Sequence, residues 1–276
     1  MPHPLRLVLF CCFLLGALGA HGQLYNSPAG ARSMALGGSS VTLSDGWALS
    51  NNPAGMAAVE QPSLGAFAHN RFSIQELTTV GLLAVYPWAR MGVIGLDVQR
   101  YGGELYNEQR LGIGVAHQLG QVRLGVKVDV LQVRVQEWGS RKAVALSLGG
   151  QSEVIPGLTF GAHIYNLNQA KLAEFEDERV PTVMKVGLGY QAVSKVLLLA
   201  EIEKELEADA AVKAGVEYQV IPAMTLRTGF NSGTRSGTGG VEVKFGQFQV
   251  AYALGAQSRL GLSNALSLVY QWEKRP

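Results

Sequence analysis

Few residues of this chain have the types and the spacing that catalysis or metal binding requires. The histidines His69, His117 and His163 each stand alone within a segment of alternating hydrophobicity. We find no Gly-x-Ser-x-Gly turn for a nucleophilic serine and no His-Glu-x-x-His pair for zinc. The Gly-rich stretch 232–240 lacks the Lys-Ser/Thr ending of a phosphate-binding loop. The sequence therefore predicts a protein that is not an enzyme, with no catalytic residue, no cofactor and no metal site.

One acidic stretch leaves an alternative open. Residues 167–180 carry Glu174, Glu176, Asp177 and Glu178 next to Lys171 and Arg179. Calcium prefers several carboxylate oxygens, but this spacing matches no known calcium loop. We interpret the stretch as a solvated loop, and a calcium site is the alternative.

A second group of charged residues lies on the less apolar face of alternating segments. Five of them stand out in the C-terminal half of the chain: Lys213, Glu217, Arg227, Glu242 and Lys244. Glu217, Arg227 and Glu242 alternate in sign on consecutive segments, so pairing of these segments would bring them together. They could form an ionic network that holds a neighbouring segment or offsets buried charge. The alternative is a polar path for a solute.

Composition limits the class of protein that positions these charges. Charged residues make up only 16% of the 276 residues, whereas Gly contributes 34. The formal net charge is +2, so the chain has no excess of positive charge with which to bind nucleic acid. Beyond the N-terminus no apolar run approaches the ~20 residues of a membrane-spanning helix. These features favour an all-β protein, either secreted or embedded in a membrane.

The N-terminus has the pattern of a cleaved signal peptide, residues 1–22. Arg6 precedes an apolar stretch from Leu7 to Leu18, and small residues follow up to Gly22. Both cysteines, Cys11 and Cys12, lie in this leader. The expected mature protein therefore has no disulfide and no thiol chemistry.

Period-2 alternation predicts about fourteen strands, most of them long enough to cross a membrane. They lie near 63–72, 77–87, 90–101, 107–118, 122–135, 142–153, 158–166, 181–192, 196–203, 209–220, 224–231, 238–245, 248–257 and 263–273. Short connections such as 119–121 alternate with longer ones such as 167–180. This alternation is typical of outer-membrane β-barrels, which have short periplasmic turns and longer external loops. We therefore predict a transmembrane antiparallel β-barrel over residues 61–276.

The two faces of the strands predict which side chains contact lipid. Val212, Val216, Leu226, Val250, Tyr252, Leu268 and Tyr270 are expected to face lipid or its interface. The last strand ends in alternating apolar and aromatic residues, Leu266, Leu268, Tyr270 and Trp272, which resembles the signal recognised by the outer-membrane assembly machinery.

Residues 23–60 do not alternate, and we predict that they form an N-terminal plug segment. Asp45 could cap a short helical turn that ends before Pro53. In the stretch "NNPAGMA", Asn52, Pro53, Ala54 and Gly55 form the expected plug motif: a bend with a hydrogen-bonding side chain, followed by small residues that allow close approach to the wall. A common surface turn is the alternative.

These motifs carry a resemblance to a known family. "ARSMALGG", Asp45 and "NNPAGMA", together with the stretch from Ala214 to Leu254, resemble the PorV/PorQ family of Bacteroidetes outer-membrane proteins, which are related to the FadL transporters. The chain departs from that pattern at Asn51 and Asn52, just before Pro53, where relatives often have an aromatic residue, and in its short external loops. The departures put a role in shuttling secreted cargo in doubt.

The resemblance implies a non-enzymatic protein of the Gram-negative outer membrane, in contact with its lipid and associated with the type IX secretion system. Its partners would be translocon components or secreted cargo. As the alternative, likeness to FadL implies a transporter or channel for hydrophobic small molecules. A purely structural or adhesive barrel is a third, weaker hypothesis.

Overall fold

Fourteen antiparallel strands close into a barrel in the computed structural model, which describes residues 28–88, 91–172 and 179–272. The strands are β1 Ser63–Asn70, β2 Thr78–Trp88, β3 Gly92–Gly102, β4 Tyr106–Leu119, β5 Val122–Val135, β6 Gly139–Ile155, β7 Leu158–Tyr165, β8 Val183–Val193, β9 Val196–Glu205, β10 Ala211–Ile221, β11 Met224–Asn231, β12 Ser236–Phe245, β13 Phe248–Gln257 and β14 Gly261–Gln271. Each strand pairs with the next along the chain, and β14 closes the barrel on β1, with Ser63 opposite Gln271. The predicted all-β barrel of about fourteen strands is confirmed.

The observed strand bounds follow the sequence pattern closely. β5, β11 and β13 have the predicted bounds, and the largest difference is that β6 begins at Gly139 rather than at residue 142. Gly139 pairs with Val135, so the ladder continues beyond the last apolar position of the strand. Ser140, Arg141 and Lys142 do not alternate in hydrophobicity, and this part of the strand therefore gave no period-2 signal.

The two ends of the barrel differ in their connections, as predicted. At one end, called the short-turn end, strands join through two or three residues, as at Gly120-Gln121 and Gly246-Gln247. At the other, the long-loop end, connections range from three residues (103–105) to seventeen (166–182). A short 3₁₀ turn, Gln75–Leu77, lies in the connection between β1 and β2. The acidic residues Glu174 to Glu178 fall outside the described residues.

The outer face of the barrel is apolar. Of the seven residues expected to face lipid, Val212, Val216, Leu226, Tyr252 and Leu268 are exposed on the barrel exterior. Val250 and Tyr270 are half-buried. At the short-turn end an aromatic cluster, Phe245, Phe248, Tyr270 and Trp272, has ring centroids 4.8–5.7 Å apart between neighbouring rings. Such exterior aromatic residues are typical of the membrane–water interface of a barrel.

Residues 28–60 lie inside the barrel and are called the inner segment from here on. They form two short helices, α1 Ala31–Ala35 and α2 Ala48–Asn51, and the 3₁₀ helix Pro53–Ala58. Trp47 packs edge-to-face on Phe67 of β1, with ring centroids 5.4 Å apart.

In the described part of the chain no helix is long and apolar enough to cross a membrane. The expected signal peptide, residues 1–22, and residues 23–27 lie outside the described residues.

Candidate functional site

Asn52 lies at the point where the inner segment meets the barrel wall, and it is 0% exposed. Its side-chain Nδ2 donates to the carbonyls of Val41 (2.6 Å) and Gly150 (3.3 Å), and its Oδ1 accepts from the N–H of Ala54 (3.2 Å). One bond thus reaches the wall and two remain within the segment. Asn52 is extended (φ −161°), and the 3₁₀ helix begins at Pro53. The side chain satisfies buried backbone groups that water does not reach.

Glycines in the barrel wall allow the plug motif to pack closely against it. A Cβ on Gly149 of β6 would overlap the Oδ1 of Asn52, and a Cβ on Gly125 of β5 would overlap the backbone of Pro53 and Ala54. Gly55 itself packs within the segment, where a Cβ would overlap the carbonyl oxygen of Leu43. Close approach to the wall therefore depends on glycines of the strands, and the part expected of Ala54 and Gly55 in it stays a prediction.

Asn51, the residue before Asn52, holds the beginning of the inner segment. It is 1% exposed, accepts a hydrogen bond from the N–H of Ala29 (2.9 Å) and donates to the carbonyl of Ala29 (3.1 Å) and to Ser33 Oγ (2.8 Å). The sequence pattern predicts no such contacts for Asn51.

All five predicted lumen charges belong to two ionic networks that include residues of the inner segment. In the first, a chain of alternating charge, Arg32 Nη1 lies 2.9 Å from Asp45 Oδ2 and Arg32 Nε lies 2.8 Å from Glu217 Oε2. Arg227 Nε is 2.6 Å from Glu217 Oε2, and Arg227 Nη2 is 3.0 Å from Glu242 Oε2. Lys244 Nζ, 3.6 Å from Glu242 Oε1, ends this row, which we call the charge ladder.

Arg32 and Asp45 connect the charge ladder to the inner segment. Asp45 Oδ1 also accepts from the N–H of Ala48 (3.2 Å), the first residue of α2, close to the capping role expected of it. Burial lowers the pKa of the Arg32 guanidinium, but the carboxylates of Glu217 and Asp45 raise it further, so the pKa stands above its ordinary value. Arg32 therefore keeps its charge, and its two hydrogen bonds to Glu217 hold α1 against β10.

Lys213 belongs to the second network, which also reaches the inner segment. Its Nζ lies 2.6 Å from Glu203 Oε2 and 3.5 Å from Glu201 Oε1. Glu201 Oε2 accepts from the backbone N–H groups of Ser40 (2.7 Å) and Val41 (2.8 Å). The two networks hold separate parts of the segment, one at α1 and one at residues 40–41.

A third cluster of charge lies on β3, β4 and β5 and was not singled out from the sequence. Lys127 Nζ is 2.8 Å from both Asp97 Oδ1 and Asp129 Oδ1, and all three side chains are nearly fully buried. Asp97 and Asp129 flank Gly112 in the sheet, so Lys127 reaches across β4 to bridge them. Ser50 of the inner segment donates to Asp97 Oδ2 (3.0 Å). Within residues 28–88, 91–172 and 179–272, no group of three His, Cys, Asp or Glu residues could hold a metal ion.

A cavity of about 460 Å³ opens at the short-turn end, between the inner segment and strands β8 to β14. The charge ladder lines one side of it. Residues of the inner segment, among them Trp47 and Val59, line another. Lys244, with 44% of its side chain exposed, faces this open space rather than a sealed interior.

Comparisons with known proteins identify the fold. Neither a family model nor a curated protein matches the sequence. Among solved structures, the toluene transporter TodX of P. putida is 13% identical, with a TM-score of 0.69, over 91% of this chain and 100% of its own. The Ralstonia pickettii toluene transporter TbuX is 13% identical, with a TM-score of 0.68, over 89% of this chain and 98% of its own. A Pseudomonas aeruginosa FadL homologue is 12% identical, with a TM-score of 0.60, over 88% of this chain and 97% of its own.

The chain has the fold of FadL-like barrels. The barrel, from the start of β1 at Ser63 to the end of β14 at Gln271 with its connections, spans about three quarters of the 276 residues. A match over 88–91% of the chain therefore reaches well into the part before β1. The likeness thus extends beyond the barrel wall to the inner segment.

Proposed function

We propose that the chain is an outer-membrane channel for small hydrophobic molecules, closed by its inner segment. The observation that carries this proposal is the match to TodX and TbuX over nearly the whole chain, since both are named as toluene transporters. The apolar exterior and the aromatic cluster at the short-turn end support outer-membrane lipid as a partner. None of the three neighbours described above is named as an enzyme.

The inner segment supplies the closure in this proposal. Asn52, Leu36 and Val41 are each at most 1% exposed, which indicates that the segment fills the part of the lumen it crosses. A solute would pass when the segment shifts away from the wall. The plug role of Asn52, Pro53, Ala54 and Gly55 belongs to this proposal, as does the role of the lumen charges in holding the segment.

A component of the type IX secretion system is the second candidate. It is supported by the N-terminal motif "NNPAGMA" and by the resemblance to the PorV/PorQ family stated above. Affinity isolation from native membranes separates the two candidates. A large translocon or a secreted cargo protein recovered with the barrel favours secretion, and a lone barrel favours the channel.

A reversible lock on the inner segment tests the channel directly. The Cβ of Leu36 lies 3.0 Å from the position of a Cβ on Gly215 of β10, near the ~3.5–4.5 Å that a disulfide spans. In a Leu36→Cys/Gly215→Cys variant, oxidation should tie the segment to the wall. Gram-negative cells that produce this variant should take up labelled toluene under reducing conditions and lose that uptake on oxidation.

Two controls make the result decisive. Wild type under the same oxidant shows whether oxidation alone affects uptake. Uptake by wild type no faster than by cells without the protein would refute the channel. Uptake that persists in the fully oxidised variant would refute closure by the inner segment.

A further inference from the structure

The cavity at the short-turn end has a lining whose chemistry restricts what it can bind. On one side lies the charge ladder, in which three carboxylates and three cations alternate. Each of these groups has an oppositely charged partner within 3.6 Å. The ladder has no net charge, so it offers no field that would concentrate ions of either sign.

An ion would also have to compete with the ladder for its partners. Replacing one member of a buried ion pair leaves the other without compensation, which is strongly unfavourable. Arg227, whose side chain is 3% exposed, bonds Glu217 and Glu242 at once, so an anionic solute could gain it only by displacing a carboxylate. The ladder therefore disfavours charged solutes of either sign.

Outside the ladder, two exposed residues of opposite charge, Glu60 and Lys195, line the cavity. The rest of the lining is rich in hydrogen-bonding groups without charge. Gln191, Gln219, Gln249 and Gln271 come from four different strands and all line the cavity. An amide carries both donors and acceptors, and Gln249 Nε2 already donates to Gln271 Oε1 (2.7 Å). A bare hydrocarbon would displace water from these amides without replacing its hydrogen bonds, which loses affinity.

We propose that this cavity binds small uncharged molecules that carry hydroxyl groups. The volume of about 460 Å³ lies within the usual range of ligand pockets and accommodates a substituted aromatic ring. Apolar side chains, Val59 and Leu197 among them, contact the ring, and the glutamine amides bond the hydroxyl. This inference rests on the proposed function in one respect: it takes the cavity at the short-turn end to lie on the path of the solute.

Four probes of matched size test the proposal by equilibrium dialysis against the purified full-length protein in detergent micelles. They are benzyl alcohol, toluene, benzoate and benzylammonium, which share one ring and differ in charge and hydrogen bonding. A Gln219→Trp variant, which fills part of the cavity, is dialysed in parallel, and its binding is subtracted to remove partition into the micelle. We expect benzyl alcohol to bind at least about fivefold more tightly than each of the other three.

Matched Gln→Leu variants assign the preference to the lining. Gln219→Leu should lower the affinity for benzyl alcohol several-fold and raise the affinity for toluene, because one amide no longer has to give up its water. The same substitution at Gln109, exposed on the barrel exterior, should change neither. Toluene or an ionic probe binding as tightly as benzyl alcohol, or cavity binding that is absent for all four, would overturn the inference. Because dialysis requires no transport, this outcome is independent of the uptake experiment, whose failure alone would refute the channel.

Discussion

Asn52 and Gly149 are complementary in shape: the side-chain oxygen of Asn52 occupies the space that a Cβ on Gly149 would need. The next residue of β6, Gly150, accepts a hydrogen bond from Asn52 through its carbonyl, but a Cβ on it would meet only Leu124, at 3.8 Å. Two adjacent glycines therefore differ in what they contact. One faces the inner segment and the other faces the barrel exterior.

This difference provides a matched pair of substitutions. Gly149→Ala should displace Asn52 and weaken the seating of the inner segment by about 1–3 kcal/mol, the usual cost of forcing an extra carbon into a packed site. Gly150→Ala should leave the segment in place. Cleavage of residues 28–60 by a non-specific protease in intact outer membranes measures the effect. Equal protection of both variants would contradict the tight packing at Gly149.

Asn52→Leu should loosen the inner segment without unfolding the barrel, because the strand ladder does not involve its side chain. The substitution leaves the N–H of Ala54 and the carbonyl of Gly150 without this partner, whereas the carbonyl of Val41 still accepts from Gln151 Nε2 (3.0 Å). Each buried group left unsatisfied costs about 1–3 kcal/mol. We expect faster proteolysis of residues 28–60 and increased permeability to small solutes, with an unchanged far-ultraviolet circular dichroism spectrum.

The control for Asn52→Leu is the same substitution at Asn70. The side chain of Asn70 donates to the carbonyl of Ile74 and to Thr78 Oγ1 at the long-loop end, away from the inner segment. Asn70→Leu should therefore preserve both protease protection and permeability. If Asn52→Leu behaves like this control, the motif has no part in closure.

The barrel was predictable from the sequence because its signals are local. Alternation of apolar and polar residues repeats along each strand, and tight turns such as Gly120-Gln121 separate the strands. The prediction missed the start of β6, where polar residues beyond the apolar band continue the ladder with no periodic signal. Hydrogen bonding of the backbone maintains the strand there independently of side-chain type.

The interior was less predictable because it depends on which residues become neighbours. Alternation alone placed Lys127 and Asp129 on one face of β5, but nothing local indicated that Asp97, thirty residues earlier, would share Lys127 across Gly112. The same limit applies to the glycines of the wall: Gly125 and Gly149 lie where the inner segment packs against the inner face of the barrel. That packing is a tertiary contact and produces no periodic pattern in the sequence.

Lys127→Met should destabilise the barrel strongly. Asp97 and Asp129, 2% and 1% exposed, would lose the cation that lies 2.8 Å from each. Arg110 of β4, 3.9 Å from Asp97 and 3.8 Å from Asp129, would then be shared by two carboxylates. Removing one partner of a buried ionic group costs about 3–5 kcal/mol because a buried charge is left uncompensated. Urea unfolding in detergent micelles measures the loss. Lys244→Met, at a partly exposed end of the charge ladder, should cost much less and serves as the control.

Arginine substitutions test the assignment of the two faces. Val216, on the outer face near the middle of β10, should tolerate arginine poorly, at a cost of about 2–4 kcal/mol for a charge facing the lipid core. Gln219→Arg, in the cavity three residues along the same strand, should cost less because water reaches it. Val250 is less suitable as a test position, since it lies two residues from Phe248 in the aromatic cluster. A larger loss of stability for Gln219→Arg than for Val216→Arg would show that the lipid-facing and lumen-facing sides had been assigned the wrong way round.

Arg32 should hold the inner segment through geometry as well as charge, and its contribution should not depend on pH in the accessible range. A group whose pKa is higher in the folded state than in the unfolded state contributes its full stabilisation of the folded state at any pH below the unfolded-state pKa. That contribution is lost only as the pH rises through the folded-state pKa. For Arg32 both values lie above about pH 12, so protease protection of residues 28–60 should be unchanged between about pH 7 and pH 10.

Substitution of Arg32 separates the two contributions. Arg32→Met removes the hydrogen bonds to Asp45 and to both oxygens of Glu217, and should expose the segment to protease. Arg32→Lys keeps the charge but cannot bond both oxygens of Glu217 in the planar arrangement of a guanidinium, so it should restore protection only in part. Full protection in Arg32→Lys would show that charge alone is sufficient. Full protection in Arg32→Met would show that the charge ladder has no part in holding the segment, whose seating would then depend on Asn52 and the glycines of the wall.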